Sequence, residues 1–222
     1  VRKEQDAQHL TELQLLQAQV NPHFLYNTLD TIVWLVEGGM EQDAVDMITS
    51  LSVFFRTSLS KGKDIIPLSE EERHTLSYLE IQHVRYQDIL SYDIEVPEAL
   101  YIYSIPKITI QPLVENAVQH GIHDCMETGR IVMSIHRNQD MIDITVSDNG
   151  AGMTEEMIAR VMAGRADQNE EDRFSTGIAV RNVIDRLQLY YKEENLFTIE
   201  SDGPGKGTRV HIILPVYKDE LE

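Results

Sequence analysis

The chain is poor in cysteine and in positive charge, and each shortage excludes a class of protein. Its 222 residues include one cysteine, which excludes an intrachain disulfide framework and a zinc site built from cysteines, and fits a reducing compartment. Lysine and arginine number 19 against 37 aspartates and glutamates, a formal net charge of −18. A protein that binds the phosphate backbone of DNA or RNA needs a basic surface, so we predict no nucleic-acid partner.

Long hydrophobic runs are also missing. No segment approaches the ~18 consecutive apolar residues of a membrane-spanning helix, and no secretory signal is visible. The chain begins without methionine in a polar helical pattern, so we expect a fragment of a longer protein. The 42% hydrophobic and 25% charged residues are typical of a soluble globular protein with one large or two modest domains.

The first part of the chain predicts two helices joined by a short turn. A helical pattern covers residues 3–37 with a break at Pro22, Gly38–Gly39 ends it, and a second amphipathic helix covers residues 41–60. The apolar faces consist of Leu25, Leu29, Ile32 and Val36 on the first helix and Val45, Ile48, Leu51, Phe55 and Leu59 on the second. Such a hairpin buries its apolar stripes best as a dimeric four-helix bundle.

A histidine lies inside the first helix, in the stretch AQVNPHFLYNTLD. His23 precedes Leu25 by two residues and therefore lies about 200° away from it around a helix. His23, Asn27 and Asp30 form a polar face opposite the apolar stripe, which argues against a core histidine. Two readings remain open on helical geometry: a surface histidine, or a nucleophile, because a neutral imidazole nitrogen is nucleophilic near physiological pH.

The pattern changes after a third predicted helix at residues 69–87. Strand patterns occur in ILSYDIEV, GRIVMSIHR, MIDITVSD, NLFTIES and GTRVHIILP, and helix patterns in IPKITIQPLVENAVQHGI, near Thr154 and in GIAVRNVIDRLQLYY. We therefore predict an α+β protein: a helical hairpin at residues 1–65, then an α/β-sandwich domain at residues 66–222.

Two stretches of this second domain carry polar residues suited to a ligand. In QPLVENAVQHG, Asn116 and His120 are four residues apart and share a helix face. An asparagine oxygen is a hard neutral ligand that suits Mg²⁺, and a solvated polar face is the alternative. In VSDNGAGM, Asp148 can accept a hydrogen bond from an exocyclic amine such as that of adenine, and Gly150 and Gly152 permit close backbone approach. A plain Asp-Asn-Gly turn is the alternative there.

Two glycine-containing stretches complete the set. In STGIAV, Gly177 precedes a predicted helix, where free backbone N–H groups bind phosphate well. The alternative is a simple helix cap at Ser175 or Thr176. GPGKGTRVHIILP predicts a glycine-rich hairpin turn before Thr208, which is compatible with a ligand-binding role as well.

The order and spacing of these four stretches resemble the Bergerat-type ATP-binding fold of histidine kinases, type II topoisomerases, heat-shock chaperones of the ninety-kilodalton class and mismatch-repair ATPases. The resemblance implies ATP with Mg²⁺ as cofactors. It implies Asn116 as the metal ligand, His120 near the phosphates, Asp148 at the adenine, Gly150 and Gly152 in the turn under the base, residues 163–176 as a mobile lid, Gly177 at its end and Thr208 near the adenine.

The hairpin narrows the resemblance. LQAQVNPHFLYNTLDTI, QPLVENAVQHGI and GIAVRNVIDRLQLYY together resemble the LytS/YesM-type sensor histidine kinases over residues 10–216. The resemblance implies that His23 accepts the phosphoryl group and later passes it to an aspartate of a response regulator. It also implies a homodimer, and a bacterial cytoplasmic kinase core anchored to the membrane through an N-terminal sensor region.

Two departures from the general histidine kinase pattern matter. Phe24 follows His23, where many histidine kinases have an acidic residue, so the general base is unidentified; Asn27 is a candidate to orient His23, and Glu115 is a candidate base. Ala179 replaces a usual glycine: its methyl group weakens ATP binding if this backbone lies against phosphate or needs a positive φ, and is harmless if the residue is helical. Two other functions stay open: an ATP-driven conformational machine of the same fold, and a degenerate binding or scaffold module.

Overall fold

The computed structural model describes residues 22–58, 64–86, 89–121, 128–164 and 174–216. The helices are α1 Pro22–Glu37, α2 Glu41–Ser58, α3 Leu68–Tyr86, α4 Gln111–Gly121, α5 Glu155–Met162 and α6 Phe174–Tyr191. The strands are β1 Ile65–Pro67, β2 Leu90–Glu95, β3 Ser104–Pro106, β4 Gly129–Asn138, β5 Met141–Asp148, β6 Phe197–Glu200 and β7 Thr208–Pro215. The predicted α+β class, a helical part followed by a mixed helix-and-sheet part, is confirmed.

Helices α1 and α2 form the predicted hairpin. The Gly38 N–H donates to the Trp34 carbonyl and the Met40 N–H to the Leu35 carbonyl, which satisfies the last carbonyls of α1. Gly39 has φ 72°, a left-handed conformation that glycine adopts without strain. The predicted pattern for residues 3–21 and Leu59 lie outside the described residues.

The faces that these two helices bury within the chain differ from the predicted ones. The buried side chains are Phe24, Thr28 and Leu35 on α1 and Ala44, Met47, Phe54, Thr57 and Ser58 on α2. The stripes predicted for a dimeric bundle are not part of the intrachain core: Leu29 and Val36 are 45% and 57% exposed, and Val45 and Ile48 are exposed as well. Both helices carry apolar residues on two sides, and α3 covers only one of them.

Helix α3 joins the hairpin to the rest of the molecule. The Phe24 ring lies 5.1 Å from the Phe54 ring and 5.3 Å from the Tyr78 ring, so one aromatic cluster links α1, α2 and α3. Strand β1 leads directly into α3 at Leu68. The helix therefore begins one residue before the predicted start, and Ser69 lies inside its first turn.

A five-stranded sheet forms the second layer, in the order β2-β4-β5-β7-β6. Strand β2 runs parallel to β4, and the other neighbours are antiparallel. Helix α4 lies against β4 and β5, and α6 packs beside α4. The buried strand residues that face these helices include Ile131, Met133, Ile135, Ile142, Ile144, Val146, Ile212 and Leu214. Alternate strand positions carry polar residues on the open face, so the predicted sandwich of helices on one sheet is confirmed.

Helix α4 begins later than predicted. Residues 105–110 are not helical: β3 ends at Pro106 and a turn follows in which Ile108 has φ 59°. The buried Glu71 carboxylate accepts the N–H groups of Ile108 at 3.0 Å, Thr109 at 2.7 Å and Ile110 at 2.8 Å. Because a carboxylate from another helix satisfies these amides, the turn replaces the first helical turn that the pattern predicted.

Candidate functional site

His23 lies in the first turn of the described part of α1 with its side chain exposed. The Asn27 amide nitrogen lies 3.1 Å from both His23 ring nitrogens, as the four-residue spacing predicts. The Asn27 amide can donate to whichever ring nitrogen carries no proton, so it can orient the ring. Phe24, one residue further, is buried and holds this turn against α2 and α3.

Helix α4 presents two adjacent polar residues. The Asn116 side chain is half-buried, and it makes no hydrogen bond within the part of the chain that the structure describes. Glu115 is half-buried and accepts a 2.7 Å hydrogen bond from the Gln111 amide, while burial raises its pKa. The backbone of α4 includes His120, whose side chain lies outside the described residues.

Asp148 ends β5 beside the first residue of β7. Its register partner is Thr208, and its carboxylate accepts the Gly150 N–H at 2.8 Å. Burial raises the pKa of Asp148, and the hydrogen bonds from the Gly150 and Thr208 backbone lower it by less. The result is a partly desolvated acceptor held rigidly by backbone amides.

Two glycine-rich turns pack backbone to backbone next to Asp148. The Gly205 N–H donates to the Ala151 carbonyl at 2.6 Å and the Gly207 N–H to the Gly150 carbonyl at 3.1 Å. Gly152 has φ 63°, and a Cβ there would overlap the Gly203 carbonyl oxygen. The freedom of Gly152 therefore serves the approach of the second turn, and Asp148, Gly150, Gly152 and Thr208 form one cluster.

The start of α6 corrects a prediction. The helix already includes residues 174–176, so neither Ser175 nor Thr176 is its cap and Gly177 lies in the helix rather than before it. Gly177 is buried, so it does not offer the free N–H groups of a helix start. Ala179 is helical too, where a methyl group is favourable. Residues 165–173 of the predicted lid lie outside the described residues.

The structure also contains residues that sequence reasoning missed. Arg186 on α6 donates to the Ile108 carbonyl at 3.0 Å, and Lys107 donates to the Ser58 carbonyl at the end of α2 at 2.6 Å. With Glu71 they tie the turn before α4 to three other helices. No periodicity or motif marks these residues; the signals were a charged residue in the first turn of α3 and isolated cations.

Two regions of the chain match known protein families, and solved structures share its fold. Residues 106–218 match the family of histidine kinase-, DNA gyrase B- and HSP90-like ATPases, and residues 11–90 match a histidine kinase family. The solved mycobacterial sensor histidine kinase MprB has the same fold, with a TM-score of 0.51 at 14% identity over 69% of this chain and 99% of that one. The catalytic domain of histidine kinase ThkA gives a TM-score of 0.52 at 14% identity, over 68% of this chain and 95% of that one.

Curated relatives agree with both matches. Sensor histidine kinase YesM of Bacillus subtilis strain 168 is 34% identical over 92% of this chain, and sensor histidine kinase BtsS of Escherichia coli K12 is 31% identical over 95%. Sensor protein LytS of Oceanobacillus iheyensis is 34% identical over 90%. The chain spans about a third of the length of these relatives, at 33% and 34%.

Fold and matched regions thus define an ATP-binding domain preceded by a helical segment that matches a histidine kinase family. The chain belongs to the family of histidine kinase-, DNA gyrase B- and HSP90-like ATPases. Among the described residues, no helix is long and apolar enough to cross a bilayer.

Proposed function

We propose that this chain transfers the γ-phosphoryl group of ATP to His23 and then to an aspartate of a response regulator. The observation that supports this best is the exposed His23 imidazole beside the Asn27 amide, on a helix anchored by Phe24 in a chain that also carries an ATP-binding domain. We assign residues 1–65 to dimerisation and phosphotransfer and residues 66–222 to ATP binding.

The Asp148 cluster fits the adenine end of ATP. A partly desolvated carboxylate is a strong acceptor for the exocyclic amine of adenine, and Thr208 and Gly150 lie beside it. The tight packing of the two glycine turns holds this acceptor in one place. Gly152 acts by permitting that packing rather than through its own contact with the base.

Residues of α4 and α6 fit the phosphate end. The half-buried Asn116 amide has an uncommitted oxygen within the described residues, as a ligand to Mg²⁺ needs. Bound Mg²⁺ neutralises developing charge on the phosphates. We propose that His120 on α4 and Gly177 on α6 also contribute to this end of the site. Gly177 would act by allowing α6 to approach closely, not by offering free N–H groups.

His23 is the nucleophile in the proposed phosphoryl transfer. A ring nitrogen lone pair forms a bond to the γ-phosphorus, the bond from that phosphorus to the bridging oxygen breaks, and ADP leaves with the electron pair. Asn27 orients the ring, and the ring proton passes to a base. Glu115 is our candidate base because burial raises its pKa toward neutrality.

The exposed second faces of α1 and α2 support a homodimer. Leu29, Val33, Val36, Val45 and Ile48 are large apolar residues with 45% to 57% of their surface exposed. They recur at helical spacing on both arms of the hairpin, so a second copy buries them in a four-helix bundle. We further propose that the native protein is membrane-anchored through a sensor region, with this core in the bacterial cytoplasm.

The test is incubation with γ-labelled ATP and Mg²⁺. Acid-labile, base-stable label that is lost in His23→Gln supports the kinase. ATP turnover without protein label supports instead a conformational machine of the same fold, and absence of ATP binding in calorimetry supports a scaffold module. Good ATP binding without label indicates a kinase held off by the absence of its sensor.

A further inference from the structure

A buried chain of side-chain hydrogen bonds runs from the helical hairpin to α4. The Thr57 hydroxyl on α2 lies 2.5 Å from His74 Nδ1 on α3. His74 Nε2 meets the Gln111 side-chain oxygen, and the Gln111 amide nitrogen donates to Glu115 at 2.7 Å. His74 is 2% exposed, Thr57 7% and Gln111 8%, so water does not compete for these bonds.

The hydrogen bonds between Glu115, Gln111 and His74 have one direction of donation. A carboxylate accepts, so the Gln111 nitrogen must face Glu115 and its oxygen must face His74. His74 Nε2 therefore carries the ring proton. Burial lowers the pKa of His74 to about 4 and keeps the imidazole neutral, so Nδ1 is left as an acceptor facing the Thr57 hydroxyl. The same hydroxyl also lies 3.0 Å from the Val53 and Phe54 carbonyls, so its single proton is shared among these acceptors at the end of α2.

Ring contacts extend the chain toward the phosphoacceptor. The Phe54 ring stacks on the His74 imidazole, with centroids 4.6 Å apart and planes 15° from parallel. The ring centroids of Phe24 and Phe54 are 5.1 Å apart, and Phe24 directly follows His23 in the sequence. Packed side chains therefore run without a break from the residue after His23, through His74, to the residue before Asn116.

We propose that His74 is a positioning residue that sets α4, with Glu115 and Asn116, relative to the phosphoacceptor helix. This inference rests on the proposed kinase function. Because helix pairs in switching proteins shift by about 1–2 Å, a shift of that size between α2 and α3 breaks the Thr57–His74 bond and releases Gln111. The relative position of α2 and α3 then determines the position of α4 in the ATP-binding domain.

The test compares His74→Phe, which keeps the stacking on Phe54 and removes both hydrogen bonds, with His74→Gln, which can accept from Thr57 and donate to Gln111. Since a displacement of about 1 Å at a reacting centre can cost about 100-fold, we expect His74→Phe to lower the labelling rate of His23 at saturating ATP at least about 10-fold. ATP affinity in calorimetry should stay within about twofold, and His74→Gln should recover most of the rate.

Thr75→Val is the matched control. Thr75 is buried on the same helix and donates to the Glu71 carbonyl at 2.9 Å, outside the chain of His74. We expect this variant to lose stability in urea while its labelling rate is unchanged. Equal rate losses in Thr75→Val and His74→Phe at equal stability would overturn the inference, as would a normal rate in His74→Phe.

A double-mutant cycle covers the case in which His74→Phe does not fold. Thr57→Val keeps the side-chain size and removes one bond of the chain, so it should slow labelling about threefold to tenfold, and adding His74→Gln should bring little further loss. A normal labelling rate in Thr57→Val would overturn the inference. Wild-type protein that neither binds ATP nor becomes labelled would instead overturn the proposed function, and the inference with it.

Discussion

The Gly207 backbone lies so close to the Asp148 backbone that a Cβ on Gly207 would overlap the Asp148 carbonyl oxygen. Gly207 also has φ 72°. The turn that contains Gly207 therefore packs directly against Asp148, the residue that we expect to bind adenine. Any side chain at position 207 must push the two turns apart and move Asp148.

Gly207→Ala should lower the free energy of unfolding by about 1–3 kcal/mol more than Gly205→Ala does, because overpacking adds to the conformational strain. Gly205 has a similar φ of 74°, but a Cβ there meets nothing within 4 Å, so its alanine carries the strain of about 1–2 kcal/mol alone. Urea unfolding measures the difference. ATP affinity should fall in the Gly207 variant only; equal behaviour of both variants would argue against the packing.

Asn116→Ala should abolish labelling of His23 while leaving the fold and the dimer intact, because the change removes a half-buried oxygen that no described residue requires. Circular dichroism and sedimentation check the fold and the dimer. Asn116→Asp keeps an oxygen ligand and should retain part of the labelling at high Mg²⁺. Normal labelling in Asn116→Ala would rule out the metal-ligand assignment.

Glu71→Gln should destabilise the protein by about 2–3 kcal/mol, because backbone amides lose a charged acceptor in a buried site. Glu71 is 0% exposed and accepts three N–H groups, whereas the side chain of the neighbouring Glu70 is half-buried and makes no ion pair or hydrogen bond with the described residues. Glu70→Gln should change stability by less than about 1 kcal/mol. Equal losses of unfolding free energy in the two variants would contradict the role of the Glu71 carboxylate in holding the turn before α4.

Stability should fall as the pH drops from 6.5 to about 4, because the pKa of His74 is lowered from 6.5 to about 4 in the fold. The unfolded chain binds a proton in this window and the folded chain does not, so the loss approaches about 3 kcal/mol at the lower end and vanishes above the window. Glu71, Glu115 and Asp148 act in the opposite direction because their pKa values are raised.

The informative quantity is therefore the difference between wild type and His74→Gln. Urea unfolding at several pH values measures it. The two proteins should differ in the slope of stability against pH between 4 and 6.5, the window that the shifted pKa defines. Parallel slopes would show that His74 is not held neutral by burial.

Leu29→Glu should weaken the homodimer at least about 100-fold, because a charge enters a desolvated bundle core. Leu189→Glu is the control: Leu189 is 81% exposed on α6, away from the hairpin faces. Sedimentation equilibrium should show monomers for the first variant only. An undisturbed dimer of Leu29→Glu would place the dimer contact elsewhere.

Helical and strand periodicity predicted the elements well, because local pattern determines which faces can be buried. The stripes predicted for a dimer are exposed in the single chain, but the periodicity did not reveal the second apolar face of α1 and α2 that meets α3. Phe24 was considered only as a missing base, yet it anchors the turn of His23. Its role depends on Phe54 and Tyr78, which are distant in sequence.

The start of α4 could not be predicted for a related reason. Residues 105–110 were assigned to the helix because Pro106 can begin one, and it is the Glu71 carboxylate from another helix that stabilises the turn at Ile108. Gly177 was expected before α6 because STGIAV opens the helical pattern, but its burial within the helix reflects packing that periodicity does not report.

The placement of β2 decides where the chain can be cut. The histidine kinase match ends at residue 90 and the ATPase match begins at residue 106, yet β2, at Leu90–Glu95, is an edge strand of the sheet paired with β4. A fragment that starts at residue 106 strips this strand away and leaves β4 with a row of unpaired backbone groups. Open strand edges recruit other chains, so such a fragment is expected to aggregate, whereas one that keeps residues from 64 onward carries its own edge protection.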